Sequence, residues 1–426
     1  MAETSSFSER MWPGFRWFVF LFFATLLIFD RAVYILLALL MVSLAFASMY
    51  IYRSRWDVEI RVLSIVLLAN LLLAVPNLVL ARDGMLSLEN PLRMLFMIPL
   101  ILAVKRCGLQ ARFICDGLAI GMLGASMIVS WQYFIQEVDR PGTHYNPLLF
   151  SEIAMSGFAI LLAACLVSRD RVSLLVSQNH VPLLYLVSLI ASLYSVVLSG
   201  SRGTLVAVGP IIIFLLYWWW RAGTLKYFLT SRRALLLPVI LLLLGAGLVS
   251  NGHFIDRTRL AVSQISDYFE KGDASTPVGL RLELWRASLL AAREHPLLGI
   301  GYRDRNVFIE EKIVSGDLKP EVSNQRHAHN DYFATLQSRG VPGLMLQLLI
   351  YAVPLIIFIR RLQVARGEQL FVALGGTMMI IGYMTFSLTE VPMHNGLPLV
   401  FFIITTSLLI GMLKYPEDTS SADHSR

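Results

Sequence analysis

Three short stretches hold side chains suited to chemistry on a charged substrate. The first is Ser199-Gly200-Ser201-Arg202-Gly203-Thr204. Arg202 offers a forked cation that matches phosphate oxygens, and Ser201 and Gly203 beside it let the backbone approach a ligand closely. With a helix beginning here, its unpaired amides and positive dipole end complete an anion site. A tight hairpin turn whose Arg reaches lipid headgroups would use the same residues. The second stretch is Arg281, four residues before Trp285; an Arg on a surface helix is also at home in solvent or among headgroups. The third is His327-Ala328-His329-Asn330-Asp331-Tyr332. His329 titrates near neutral pH and suits a general base, although a His at a membrane boundary also serves as a plain interfacial residue. His-x-His can start a metal site, but zinc needs at least one more ligand and supporting hydrogen bonds. His144, Glu152 and Glu390 stand at no spacing that recommends them as further ligands, so no metal and no other cofactor is expected. Gly299-Ile300-Gly301 is a turn rather than a dinucleotide fingerprint, because no third Gly and no strand–helix context follow.

The elements that carry these residues follow from composition. Of 426 residues, 56% are hydrophobic and 15% charged, with mean hydropathy +0.64. Soluble domains carry nearer a quarter charged residues, which excludes a water-soluble globular enzyme. Cys107, Cys115 and Cys165 form neither a disulfide framework nor a metal-ligand spacing. No cleavable signal peptide is expected, because the first apolar run leads through Asp30-Arg31 into another. Hydropathy predicts an all-α polytopic membrane protein with spans at 12–29, 32–52, 58–80, 91–105, 111–136, 147–168, 181–199, 204–220, 233–250, 332–359, 369–390 and 395–415. The fourth is short enough to be a re-entrant element.

Charge fixes the orientation. With the N-terminus inside, the cytoplasmic segments hold 19 Lys and Arg and the opposite short loops 5. Positive charge collects inside, so both termini are expected in the cytoplasm, and the net charge of +7 needs no nucleic acid to explain it. The chain then divides into spans over 1–250, an outer loop over 251–331, spans over 332–415 and a tail over 416–426. The loop is balanced, with 11 basic and 11 acidic side chains as far as Arg326, and reads as folded. A helix is predicted over 281–294, with Leu282, Trp285, Leu289 and Ala292 as its apolar stripe and His295-Pro296 as its stop. A weaker amphipathic helix over 256–269 is expected on the membrane surface.

This orientation puts Arg202, Arg281 and His329 on one face. Two forked cations and one near-neutral base suit attack by a hydroxyl on a sugar carbon whose leaving group is a phosphate. The cations neutralise the leaving group and the His takes the hydroxyl proton. A single displacement of this kind needs no glycosidase-type carboxylate pair.

The chain resembles the bacterial O-antigen ligases, within the wider O-antigen ligase and polymerase superfamily. The ligase pattern reads here as His329-Asn330, nine residues from Asp331 to Arg339, then Gly340-Val341-Pro342-Gly343-Leu344. Ser201-Arg202-Gly203 and the Arg281-to-Trp285 helix before Gly299-Ile300-Gly301 match the superfamily too. The resemblance implies a GT-C-like membrane glycosyltransferase of lipopolysaccharide biosynthesis, sited in the inner membrane with its active site facing the periplasm. It implies metal-independent, inverting transfer of polysaccharide from an undecaprenyl-pyrophosphate carrier to lipid A-core. By the same resemblance His329 is the base and Arg202 and Arg281 hold the pyrophosphate. Trp285, His327 and Asn330 are left as supporting residues. Polymerases and protein O-oligosaccharyltransferases share much of the signature. A transporter would show internal repeats and midplane ionisable residues; this sequence shows no such repeat, and its polar residues gather at the outer face.

Overall fold

The computed structural model describes residues 2–29, 57–79, 86–167, 183–224, 226, 254–323, 325 and 327–414. Among the described residues all regular structure is helical. In chain order the first helices are α1 (Ala2–Thr25), α2 (Val58–Val79), α3 (Leu86–Leu95), α4 (Met97–Cys107), α5 (Ala111–Phe134), α6 (Pro147–Val167) and α7 (Leu183–Leu198). Then come α8 (Arg202–Leu205), α9 (Val208–Arg221), α10 (Phe254–Lys271), α11 (Pro277–Glu294) and α12 (Arg305–Val314). The last are α13 (Asp331–Leu362), α14 (Gly367–Phe386) and α15 (Gly396–Met412).

Among the described residues, seven stretches are long and apolar enough to cross a membrane, and Gly14–Thr25, Leu183–Leu198 and Gly396–Met412 are shorter apolar helices. This is a polytopic membrane protein. The expected spans at 32–52 and 233–250, and the tail after 416, lie outside the described residues. The expected fourth span is longer than the hydropathy reading gave: α3 and α4 run on as a 21-residue apolar stretch, Ser87–Cys107.

The centre of the bundle is α6, packed by α5, α7 and α14. Lipid is as apolar as a leucine face, so such helices gain mainly from close backbone approach and from hydrogen bonds between them. The sequence supplies both. Gly375 of α14 lies over Ala163 of α6, Tyr185 of α7 donates to Asp116 of α5 at 2.6 Å, and Ser192 of α7 donates to the Ala154 carbonyl of α6 at 2.5 Å.

Residues 254–323 build a small unit with its own apolar clusters, one of Leu284, Ala287, Ile309, Leu318 and Val322, the other of Ala291, Ile300 and Phe308. Buried Glu283 joins its parts, accepting from the Tyr268 hydroxyl at 2.5 Å and the Lys319 amide at 2.9 Å. Helix α11 begins four residues before the expected 281, at a capped start: Thr276 accepts from the Gly279 amide at 3.0 Å and Pro277 takes the first turn. Its buried face, however, is Leu284, Ala287, Ser288 and Ala291, while Leu289 is 54% exposed. The stripe expected from hydrophobicity is therefore rotated from the one that packs. Helix α10 leaves Leu260, Val262, Ile265 and Phe269 exposed, the pattern of an interfacial helix.

The expected tenth span is broken. Thirty-two straight residues of α13 would run roughly 48 Å against a hydrocarbon core of about 30 Å. At Gly340 the backbone turns to φ 66°, ψ −168°, a region essentially reserved for glycine, and the helix kinks. The segment 296–301 fills the break with backbone. Val341 donates to the Pro296 carbonyl at 2.8 Å, Ile300 to Gln337 at 3.0 Å and Gly301 to Ser338 at 3.1 Å.

Candidate active site

The kink leaves residues 331–339 as a short helix whose N-terminus carries the histidines. Asn330 caps it, accepting from the amides of Tyr332 at 3.0 Å and Phe333 at 3.2 Å, while its own amide donates to the Leu388 carbonyl at 3.1 Å. His329, just before the cap, has φ 48°, a left-handed backbone rare for a residue with a side chain. Its neighbours hold it there. The His329 amide donates to Nδ1 of His327 at 3.2 Å, and the Trp285 indole donates to the Ala328 carbonyl between them at 3.1 Å. Trp285 also stacks on Phe333 with ring centroids 5.2 Å apart and planes 14° from parallel. An accepting Nδ1 makes neutral His327 the Nε2–H tautomer. Burial first, and the Arg305 cation second, keep the His327 acid form below its usual range.

His329 is pushed further, to about 4, by burial and then by His327, Arg281 and Arg305. Its ring is therefore neutral near pH 7, as a base must be. Its Nδ1 is buried without a hydrogen-bond partner, 3.9 Å from Oε2 of Glu390. That separation is too long for a hydrogen bond, and a neutral ring makes no standing ion pair. Burial raises the Glu390 carboxyl above its usual range, opposed by Arg281 and Arg140. Exposed Arg281 thus acts on both groups, from one turn before Trp285 on α11.

The Ser-Arg-Gly turn approaches the same loop. A Cβ on Gly203 would lie 2.5 Å from the Thr389 hydroxyl, next to Glu390. Two details differ from the sequence reading. The helix starting at Arg202 is only the four residues of α8, separated by a turn from α9, so it is not a long dipole. Its glycine space is occupied by Thr389 rather than open to a ligand. Ser201 donates to the Pro147 carbonyl at 3.2 Å and does not cap the helix. Gly200, at φ 66°, provides the turn itself.

Arg281, Trp285, His327, His329 and Asn330 are thus brought together, with Ser201, Arg202 and Gly203 reaching the edge through Thr389. Sequence reasoning missed Arg140, counted only as a loop charge, and the place of Glu390. The available signal was the polar run Ser387-Leu388-Thr389-Glu390 between two apolar helices, which hydropathy had absorbed into the preceding span. Among the described residues, no three His, Cys, Asp or Glu side chains converge to hold a metal ion. Chemically, the site joins a neutral imidazole to an exposed cation: it can accept a proton while negative charge gathers beside it.

An uncharacterized protein of Haemophilus influenzae is 23% identical over 331 residues, covering 76% of this chain and 80% of its own length. Residues 187–348 match the O-antigen ligase family model, a stretch that holds Arg202, Arg281, Trp285 and His329. That match supports a place for the chain in the O-antigen ligase and polymerase superfamily.

Proposed function

We propose that the protein is an O-antigen ligase. It transfers polysaccharide from an undecaprenyl-pyrophosphate carrier to a sugar hydroxyl of lipid A-core, at the periplasmic face of the inner membrane. The loop over 251–331 lies outside, between the spans of 1–250 and 332–415, and both termini lie in the cytoplasm. One observation carries the reading: the neutral His329 ring, its Nδ1 turned toward Glu390, beside the Arg281 guanidinium and inside the family match.

In the proposed step the acceptor oxygen attacks the anomeric carbon while the bond from that carbon to the pyrophosphate oxygen breaks. The electron pair leaves with pyrophosphate, whose charge Arg202 and Arg281 hold, with Arg140 close by. The hydroxyl proton passes to His329 and then to solvent. Glu390 faces Nδ1, so Nε2 is the nitrogen for the acceptor, and the carboxylate steadies the imidazolium as it forms. One displacement inverts the anomeric centre. Metal plays no part in this step.

Reconstitution tests the proposal: purified protein, lipid-linked polysaccharide and lipid A-core should yield polysaccharide-bearing lipid A-core. Strong chelators should leave the rate unchanged, and activity lost to chelation and restored by zinc would replace the base reading with a metal one. In cells, deletion should leave lipid-linked polymer accumulated and lipid A-core bare. Accumulation of single repeats would instead make the protein a polymerase, and loss of glycan from proteins a protein O-oligosaccharyltransferase.

A further inference from the structure

Two residues beyond His329, the chain turns to a different neighbourhood. The Asp331 carboxylate is fully buried and accepts from the Met393 amide at 3.0 Å and the Ser387 hydroxyl at 3.3 Å. It also pairs with Nδ1 of His394 at 2.5 Å. With Nδ1 engaged there, Nε2 of His394 is the nitrogen left for other partners. The His394 ring lines a small, partly open pocket whose wall also holds Tyr302, Arg339 and Gln347.

Two of these side chains are poorly suited to a wall that only packs. Gln347 is 5% exposed, and neither its Nε2 nor its Oε1 has a hydrogen-bond partner. Leaving a buried polar group unpaired costs roughly 1–3 kcal/mol, which an apolar side chain of the same shape avoids. Arg339 donates from Nη1 and Nη2 to the side-chain and backbone oxygens of Asn70, both at 2.6 Å, while its Nε is buried and unpaired. Among the described residues no carboxylate is paired with it. A buried cation without a counter-charge is costly.

We propose that this cavity binds an oxyanion carrying a neighbouring hydroxyl, the chemistry of a phosphoglycerol headgroup or a phosphorylated sugar. Arg339 meets the charge. Gln347 both donates and accepts, which a hydroxyl matches and a bare anion does not. Pro91, Met94 and Ile350 offer an apolar wall to the carbon skeleton. The site shares no residue with the anion site proposed around Arg202 and Arg281, and it does not depend on the ligase reading.

The test is the unfolding temperature of detergent-purified protein titrated with glycerol phosphate, and separately with glycerol. Every sample carries Arg202→Ala and Arg281→Ala, so that the pyrophosphate site stays silent. Glycerol phosphate is expected to raise the unfolding temperature and glycerol to leave it unchanged. Gln347→Met, close in volume, should weaken the apparent affinity about tenfold or more, as loss of a hydrogen bond within a charged site does. Without ligand the same variant should unfold at an equal or higher temperature, since an unpaired amide has been removed. Undiminished protection in Gln347→Met, or equal protection by glycerol, overturns the proposal. Two further arms identify the source of the anion. Phosphatidylglycerol retained from mixed nanodiscs by the otherwise native protein, and lost in Gln347→Met, assigns it to lipid. A raised acceptor KM in Gln347→Met, with kcat and donor affinity unchanged, assigns it to the acceptor. Failure of the ligase reading would silence only that last arm.

Discussion

The backbone at His329 lies at φ 48°, and a non-glycine residue held in such a region costs of order 1–3 kcal/mol. His327, Trp285 and Asn330 each spend a hydrogen bond on keeping this loop in place, so ring placement rather than folding is what the arrangement secures. If the ring is the base, His329→Ala should lower turnover about 10²–10⁴-fold and leave donor affinity near normal, because a base acts in the transition state. Arg202→Ala and Arg281→Ala should weaken donor affinity as well as turnover, and Lys at either place should restore only part, having no fork. Donor affinity beside single-turnover rate separates these; His329→Ala losing affinity while both Arg variants keep it would reverse the roles. The depressed acid form gives a second expectation. Activity is lost as pH falls through the pKa of His329, about 4 in the free protein. An anionic donor favours the imidazolium and raises that pKa, so the acid limb of kcat should lie above that of kcat/KM. Coincident limbs would separate His329 from the titration.

At the scale of elements, the two glycine motifs around Gly299 and Gly340 are two sides of one joint. A Cβ on Gly299 would lie 2.4 Å from the Ser338 carbonyl carbon, and one on Gly340 would lie 2.5 Å from the Pro296 oxygen. The turn after α11 and the kink of α13 therefore meet backbone to backbone, and the same joint sets the angle between Trp285 and the histidine loop. Gly340→Ala should destabilise the protein by about 1–3 kcal/mol from backbone strain alone, with further cost from the clash. It should also lower turnover more than Gly316→Ala, whose site is open and whose φ of 82° is equally unfavourable. Equal losses from the two would reduce the joint to ordinary strain. Much of this was legible in the sequence. The long spans among the described residues could be read because lipid demands long apolar runs, and His329, Arg281 and Arg202 could be singled out as candidates because their motifs are local. The kink was hidden because hydropathy averages Gln337-Ser338-Arg339-Gly340 into the long apolar stretch that follows, and only the carbonyl of distant Pro296 shows what fills it. The packed face of α11 was hidden for another reason: Ala287, Ser288 and Ala291 score weakly as hydrophobic, yet they are what lets helices come close.

At the scale of the molecule, the proposed chemistry requires that the unit over 254–323 and the histidine loop face the periplasm, while the connection between α13 and α14 faces the cytoplasm. The basis is the loop bias of 19 basic residues against 5, and a bias of this kind orients spans during insertion. The structure offers clean reporters. Val314, 89% exposed at the end of α12, and Val364, 71% exposed after α13, both accept a thiol of similar size without burial. In a background with Cys107, Cys115 and Cys165 replaced, Val314→Cys should react with a membrane-impermeant thiol reagent in intact spheroplasts. Val364→Cys should react only after permeabilisation. Reversed labelling would place His329 on the cytoplasmic side, and the ligase reading would fall with it. Labelling of both in intact cells would mean that the two segments share a face, so that the number of crossings between them is even.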